Sequence, residues 1–320
     1  MNLPSITSRL PGGQRFKNLF KFMGVKAAEN NELEKVLMQR KKVIFNEYFF
    51  GYKKSNSMND EYYRNIYNVF CELYTDTERE DFFDFNGIKI FKPVSEEDNI
   101  IFIKEAIDIL FCDLPLNKKL YDAVINEGPY EINNVNVSEG DIVIDCGANM
   151  GLFSATASKK GGIVYAFEPC DYIIETYLSK TAEYNPNINI CKYALFDKKE
   201  QLEFACFKEN MGANYLIDIK KRTEYSNKIV QTVQAITLDE FVGENNILKV
   251  DFIKADIEGA ERNMLTGAKR VLKEFTPKLS ICTYHLPDDP KIIRKIILEA
   301  NPDYIIEERY SKLYAYVKKD

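Results

Sequence analysis

A chain of 320 residues with 45% hydrophobic and 13% aromatic side chains can bury a sizeable core, so it is globular and not disordered. Its net charge of −6 argues against a nucleic-acid partner, which needs a basic face. No apolar run approaches the roughly 18 residues that span a bilayer, and the polar, basic start lacks the apolar stretch of a signal peptide, so a cytoplasmic protein is expected.

The first 54 residues carry eleven Lys and Arg against four Glu, a balance of +7 that leaves −13 on the remainder. A solvated basic arm is the plain expectation. Because "RFKNLFKFMG" interleaves aromatics with Lys, a membrane-peripheral or partner contact through residues 1–54 is the alternative. Tyr63, Ile66, Val69, Phe70, Leu73 and Tyr74 then recur with a helical period, with Ser57 or Asn59 placed to cap a helix over 57–74. "FDFNGIKIF" alternates around Asn86-Gly87, the dipeptide of a type I′ hairpin. A second helix is expected from about Glu96 to Asp113, before Pro115. Residues 1–129 thus read as a mainly helical extension with one hairpin, and nothing in them names a chemistry.

From Tyr130 onward the pattern changes. Strands are expected at about Ile142 to Cys146, Ile163 to Phe167, Ile188 to Leu195, Phe252 to Asp256, Lys278 to Tyr284, Tyr304 to Glu308 and Leu313 to Val317. Helices fall at about Gly151 to Lys159, Tyr172 to Tyr184, Gly259 to Phe275 and Pro290 to Ala300. Continuous apolar strands alternating with amphipathic helices predict an α/β fold, a doubly wound, mostly parallel seven-stranded sheet covered on both faces. The tight "RYSK" connection, Arg309 to Lys312, makes one of the last two strands antiparallel, and it is expected at the edge. The seven cysteines form no CxxC pair and read as buried, reduced thiols.

Ligands of such sheets sit at the carboxyl ends of the strands. There, "VIDCGANMG" ends a strand at Asp145, and Gly147 and Gly151 bracket a turn into a helix. A nicotinamide site wants GxGxxG to seat a pyrophosphate; this spacing is GxxxG. Glu168 closes the second strand, 23 residues after Asp145, where a carboxylate can accept both hydroxyls of a ribose. An acid in the turn suits a ligand with an ammonium. An amino-acid end, a ribose and no phosphate describe S-adenosylmethionine.

The segments "GDIVIDCGANMGLFS", "VYAFEP", "ITLDEF", "VDFIKADIEGAE" with "MLTGA", and "PKLSICTYH" share their order and approximate spacing with the FkbM family of S-adenosylmethionine-dependent methyltransferases, which residues 130–320 resemble. The resemblance implies a Rossmann-like class I methyltransferase domain over 130–320. It also implies that Asp145, Gly147, Asn149 and Gly151 line the cofactor's methionine end, that Glu168 holds its ribose, and that the stretch at Ala194 holds its adenine. The first 130 residues are not covered by it.

"KADIEGAE" puts Asp256 and Glu258 two apart at a strand end, with Glu261 on the opening turn of the next helix and Lys254 before them. Helix-dipole pairing and an ion pair with Lys254 would explain these acids structurally. A hydroxyl acceptor, however, loses a proton during methyl transfer. Asp256, Glu258 or His285, the only histidine, which closes the strand "CTYH", could take it. Alternatively Asp256 and Glu258 could hold a magnesium ion, since hard cations prefer carboxylate oxygen. A long polar insert between the third and fourth strands, flanked by strand-like "LEFACF" and "IVQTVQA", could cover a substrate, with "MGANYL" in contact, or be a plain surface loop.

The reading is therefore an O-methyltransferase acting on a hydroxyl of a sugar, in a surface glycan or a glycosylated natural product by the resemblance. A non-catalytic Rossmann-like scaffold is the alternative. A nicotinamide oxidoreductase is disfavoured by the missing middle glycine.

Overall fold

The computed structural model describes residues 82–85, 87–91, 128–207, 214–217 and 229–318. The helices expected over 57–74 and 96–113, and the basic segment 1–54, lie outside them. Strands β1 (Phe82–Phe85) and β2 (Ile88–Phe91) form the hairpin, with Phe85 opposite Ile88 across the two-residue Asn86-Gly87 connection. The hairpin docks on the rest of the molecule. Ile90 is fully buried in the same core as Val143, the Asn185 side chain donates to the Lys89 carbonyl, and the Phe91 N–H donates to Thr181 Oγ1.

The following elements run in order β3 (Ile142–Cys146), α1 (Leu152–Lys159), β4 (Ile163–Phe167), α2 (Asp171–Ile173), a π turn (Ile174–Leu178), α3 (Ser179–Tyr184) and β5 (Ile188–Cys191). An inserted group follows, β6 (Ala194–Leu195), β7 (Glu200–Cys206), β8 (Tyr215–Leu216) and β9 (Ile229–Ile236). The chain ends with α4 (Leu238–Glu244), β10 (Phe252–Ala255), α5 (Glu261–Thr266), α6 (Lys269–Glu274), β11 (Lys278–Cys282), α7 (Asp289–Ala300), β12 (Ile305–Arg309) and β13 (Lys312–Tyr316).

The main sheet has the order β12-β13-β11-β10-β3-β4-β5, and its five strands from β11 to β5 pair in parallel. Val143, Ile144, Phe252, Ile253, Leu279 and Ile281 are all fully buried, as strands covered on both faces require. The antiparallel strand is not at the edge, which corrects the expectation. β13 inserts between β11 and β12, antiparallel to both, so the edge strand β12 runs with the others. Composition explains the placement. β13 buries Lys312, Leu313, Tyr314 and Ala315, whereas β12 presents Glu307 and Glu308 to solvent, as an edge strand should.

Other boundaries moved for local reasons. The strand expected over Ile188 to Leu195 breaks after Cys191, and its second piece, β6, joins a separate four-stranded sheet of order β6-β9-β7-β8. The helix expected over Gly259 to Phe275 is interrupted at Gly267, where a Cβ would sit 2.1 Å from the Phe196 carbonyl oxygen. Helix α4 was not expected, although "TLDE" carried its signal. Thr237 and Glu240 form a capping box, with Thr237 Oγ1 accepting from the Glu240 N–H at 3.0 Å. Among the described residues no helix is long and apolar enough to cross a membrane, and the five described cysteines are buried, unbonded thiols.

Candidate active site

At the carboxyl end of β3 the chain turns over Gly147 to Gly151 before α1. The N–H groups of Gly147 and Ala148 both donate to the Phe167 carbonyl at 3.0 Å, which lashes the turn to the end of β4. Gly147 has φ +76°, and a Cβ on it would lie 2.1 Å from the Asp256 carbonyl oxygen, so no other residue fits there. Asn149 is also left-handed, with φ +50°. Its N–H donates to Glu168 Oε2 at 3.0 Å, while its side-chain Oδ1 is buried with no hydrogen-bond partner among the described residues.

Glu168, only 4% exposed, follows the last residue of β4 and also accepts the Cys170 N–H at 3.0 Å. Burial pushes its carboxyl up; the N–H groups of Cys170 and Asn149 and the charge of Lys254 pull it back, and it settles at about 7. The group is thus a half-charged acceptor at neutral pH beside an unsatisfied amide oxygen.

Asp145 and Lys254 are direct neighbours in the β3–β10 pairing. Both are buried, and Lys254 Nζ lies 3.0 Å from Asp145 Oδ1 while Ser154 Oγ donates to Oδ2 at 2.6 Å. The same ammonium donates to the carbonyls of Gly147 at 2.7 Å and Cys146 at 3.3 Å. Burial opposes the charge of Lys254, yet Asp145 and Asp256 outweigh it and hold the ammonium above the ordinary lysine range. Asp145 therefore braces the glycine turn from beneath, with Oδ2 bonded to Ser154 and Oδ1 ion-paired with Lys254 but outside hydrogen-bond geometry among the described residues.

Asp256 follows β10. Its Oδ2 accepts from the Tyr130 hydroxyl at 2.5 Å and its Oδ1 from the Tyr284 hydroxyl at 3.1 Å. Burial alone would raise this carboxyl; Lys254, His285, Lys312 and the Tyr130 hydroxyl overcome it and set it at about 2. His285, with a side chain 2% exposed, sits among three acids, Nδ1 2.9 Å from Glu261 and Nε2 3.4 Å from Glu258 and 3.6 Å from Asp256. These are ion-pair contacts and not aligned hydrogen bonds, since neither ring nitrogen meets bonding geometry. Burial disfavours the ring's charge, but Glu258, Glu261 and Asp256 hold its proton up to about 10. His285 is therefore an imidazolium at neutral pH and already carries the proton a base would have to accept.

Asp256, Glu261 and His285 bring one donor atom each within 4.8 Å of one another. The set offers a cation two carboxylate oxygens and one imidazole nitrogen, with the carboxylate of Glu258 3.4 Å from the same ring; magnesium, which prefers oxygen donors, would take the carboxylates of Asp256 and Glu258 before the imidazole. The imidazolium itself supplies the positive charge among these acids. Glu258 stands beside it with a left-handed backbone, φ +55°.

The structure thus gathers Gly147, Asn149, Gly151 and Glu168 on one side of β3 and Asp256, Glu258, Glu261 and His285 at the end of β10. Ala194 lies in β6 of the second sheet, paired with Ala235. Of "MGANYL", Tyr215 is buried and stacks on Phe207, which makes it core, and Met211 to Ala213 lie outside the described residues. Sequence reasoning missed Tyr130 and Tyr284. Tyr284 stood inside the quoted "CTYH", but Tyr130 carried no local signal.

A mostly parallel sheet with a GxxxG turn at the end of β3 and a buried carboxylate just after β4 fits the expected methyltransferase domain. The Methyltransferase FkbM domain profile matches residues 145–308, just over half of the chain. The protein belongs to the FkbM methyltransferase family. A curated relative, the hexuronic acid methyltransferase AglP of Haloferax volcanii, is 28% identical over 163 residues, 51% of this chain and 63% of that protein. The AMB antimetabolite synthetase AmbE of Pseudomonas aeruginosa is 23% identical over 48% of this chain and 9% of its own length. The chain therefore spans less than two thirds of the length of either. A crystal structure of a methyltransferase FkbM from Methylobacillus flagellatus KT aligns over 97% of this chain and 72% of its own, at 16% identity and a TM-score of 0.44.

Proposed function

We propose that the protein transfers the methyl group of S-adenosylmethionine to a hydroxyl of a sugar, in a surface glycan or a glycosylated natural product. The observation that carries this reading is the buried, unpartnered Oδ1 of Asn149 beside a half-charged Glu168. An ammonium satisfies the first and a ribose diol the second. Gly147, Asn149 and Gly151 hold the amino-acid end, Glu168 the ribose, and the stretch at Ala194 the adenine. The bound cofactor supplies an electrophilic methyl group on a sulfonium.

Asp256 then acts on the acceptor. Its charge is fixed by Lys254, Lys312 and His285, and two tyrosine hydroxyls set its orientation. A carboxylate at about 2 is a weak base, but it suffices. An alcohol becomes strongly acidic as its oxygen bonds to the methyl, so the base is needed late, and alignment provides much of the acceleration. In this reading His285 is a positioning residue. Its positive charge keeps Asp256 ionised, and no metal step is needed. A sugar acceptor is supported by the named activity of the Haloferax relative on hexuronic acid.

The experiment is calorimetry of the full chain with S-adenosylmethionine and S-adenosylhomocysteine, followed by S-adenosylhomocysteine release on neutral and uronic-acid glycans with and without EDTA. Binding with glycan-dependent, EDTA-insensitive release is expected. Absence of cofactor binding would leave a scaffold. Release without preference for a glycan would overturn the acceptor, and loss of activity in EDTA would return a metal to the cluster.

A further inference from the structure

The site uses no cysteine, yet two cysteines meet directly behind it. Cys170, two residues after Glu168, and Cys206, the last residue of β7, place their sulfurs 2.7 Å apart, both fully enclosed. That is well inside the contact of two unbonded sulfurs and short of bonding only by the gap to about 2.05 Å. The backbone around them is clamped from the second sheet at a further point. On β9, Gln231 donates to the Pro169 carbonyl at 2.7 Å and its side-chain oxygen faces the Asp171 N–H at 3.4 Å. Ile229 of the same strand is the register partner of Cys206. The segment that carries Glu168 is thus already fixed against β7 and β9, so joining the sulfurs asks for little movement.

We propose that Cys170 and Cys206 are a disulfide-forming pair that staples the cofactor-binding strand end to the inserted sheet. The neighbouring Cys206 thiol, with the N–H groups of Ile173 and Tyr172, lowers Cys170 against its burial and the charge of Glu168, which makes its sulfur the first to attack. With hydrogen peroxide as oxidant, the Cys170 sulfur attacks a peroxide oxygen, breaking the O–O bond and giving a sulfenic acid and one water. The Cys206 sulfur then displaces the sulfenic oxygen as a second water and forms the S–S bond. Peroxide takes up the two electrons and both thiol protons. The other described cysteines, Cys146, Cys191 and Cys282, are all buried and unbonded.

The test treats the full chain with dithiothreitol or hydrogen peroxide, blocks free thiols with N-ethylmaleimide under denaturing conditions, and maps peptides by mass spectrometry. The expected result is a linked Cys170–Cys206 peptide after peroxide that returns to two blocked thiols after reductant and is absent from Cys206→Ser. A loop of this length also predicts a Tm roughly 5 to 10 °C higher in the oxidised form, a difference that vanishes in Cys170→Ala and in Cys206→Ala. Because Glu168 keeps its place, the Kd for S-adenosylhomocysteine should change less than about three-fold. Recovery of both cysteines as blocked thiols after peroxide, or their linkage to other cysteines, would overturn the proposal.

Discussion

The two halves of the site differ in how charge is held. On the glycine-turn side, Asn149 Oδ1 has no hydrogen-bond partner among the described residues, and Glu168, which accepts two backbone N–H groups, is held by burial near half charge. On the β10 side, charge is matched. Asp256 faces Lys254, His285 and Lys312 and is held firmly ionised, and His285 faces three acids and stays protonated. A ligand with many hydrogen bonds is best awaited by groups that only it can satisfy. A charge that must persist through a reaction is best fixed in advance by its surroundings.

The contrast breaks most severely at the residue both halves share. Lys254→Met would leave the buried carboxyl of Asp145 without its cation beneath the turn, which should cost about 3–5 kcal/mol. Thermal unfolding should fall by roughly 10 °C, and Asp145→Asn in the same chain should restore much of it. An unchanged Tm would show that Asp145 is not braced by this ammonium.

Asp256→Asn attacks the matched half alone. Removing the proposed base should lower kcat by about 100- to 1000-fold, with the Kd for S-adenosylmethionine within about three-fold of the parent. His285→Gln should lose roughly ten-fold in kcat, because it weakens Asp256 without touching the acceptor. Equal losses in the two variants would mean that His285 itself meets the substrate.

The glycine-turn half should respond to pH. Burial raises the pKa of Glu168 to about 7, so below that pH it is mostly protonated in the free protein, and in the proposed role its carboxylate must be regenerated to accept two ribose hydroxyls. Affinity for S-adenosylhomocysteine should therefore be full above about pH 8 and weaken toward ten-fold at pH 6, and Glu168→Gln should flatten the curve at the weaker level. Calorimetry at three pH values decides it; a flat profile in the parent chain would remove Glu168 from the ribose.

How much of this was legible follows from sequence distance. Gly147, Asn149, Gly151 and Glu168 lie within one strand-turn-helix-strand unit, where local spacing dictates geometry, and the sheet's parallel core followed from its apolar runs. The acidic loop was legible as a cluster, but its chemistry was not. The imidazolium state of His285 depends on Glu258 and Glu261 approaching from the far side of a loop, which no spacing reveals. Likewise the second sheet pairs β7 with β9 across more than twenty residues, and β13 enters between two strands because of long-range packing. Tyr130 meets Asp256 across 126 residues of chain, so nothing in its own neighbourhood marks it.

Tyr130 also offers the finest test of the contrast, because it belongs to the matched half by geometry alone. Lys312 donates to the Gly128 carbonyl at 2.9 Å and the Tyr314 hydroxyl donates to the Pro129 carbonyl, which pins the segment onto β13. The ring then lies between two buried ammonium groups, with Lys312 4.6 Å and Lys254 5.0 Å from its centroid, and its hydroxyl reaches Asp256. Tyr130→Phe keeps the ring between the cations and removes only the donor. One of the pulls holding Asp256 down is lost, so its carboxyl rises from about 2 and its orientation loosens. The expected outcome is a kcat lower by roughly five- to ten-fold, an acid limb of the rate profile shifted upward in pH, and an unchanged cofactor Kd. Tyr130→Ala should in addition lower the Tm, since it uncovers both ammonium groups. If Tyr130→Phe turned over within two-fold of the parent with the same acid limb, the hydroxyl would be packing only, and Asp256 would owe its charge to the lysines and His285 alone.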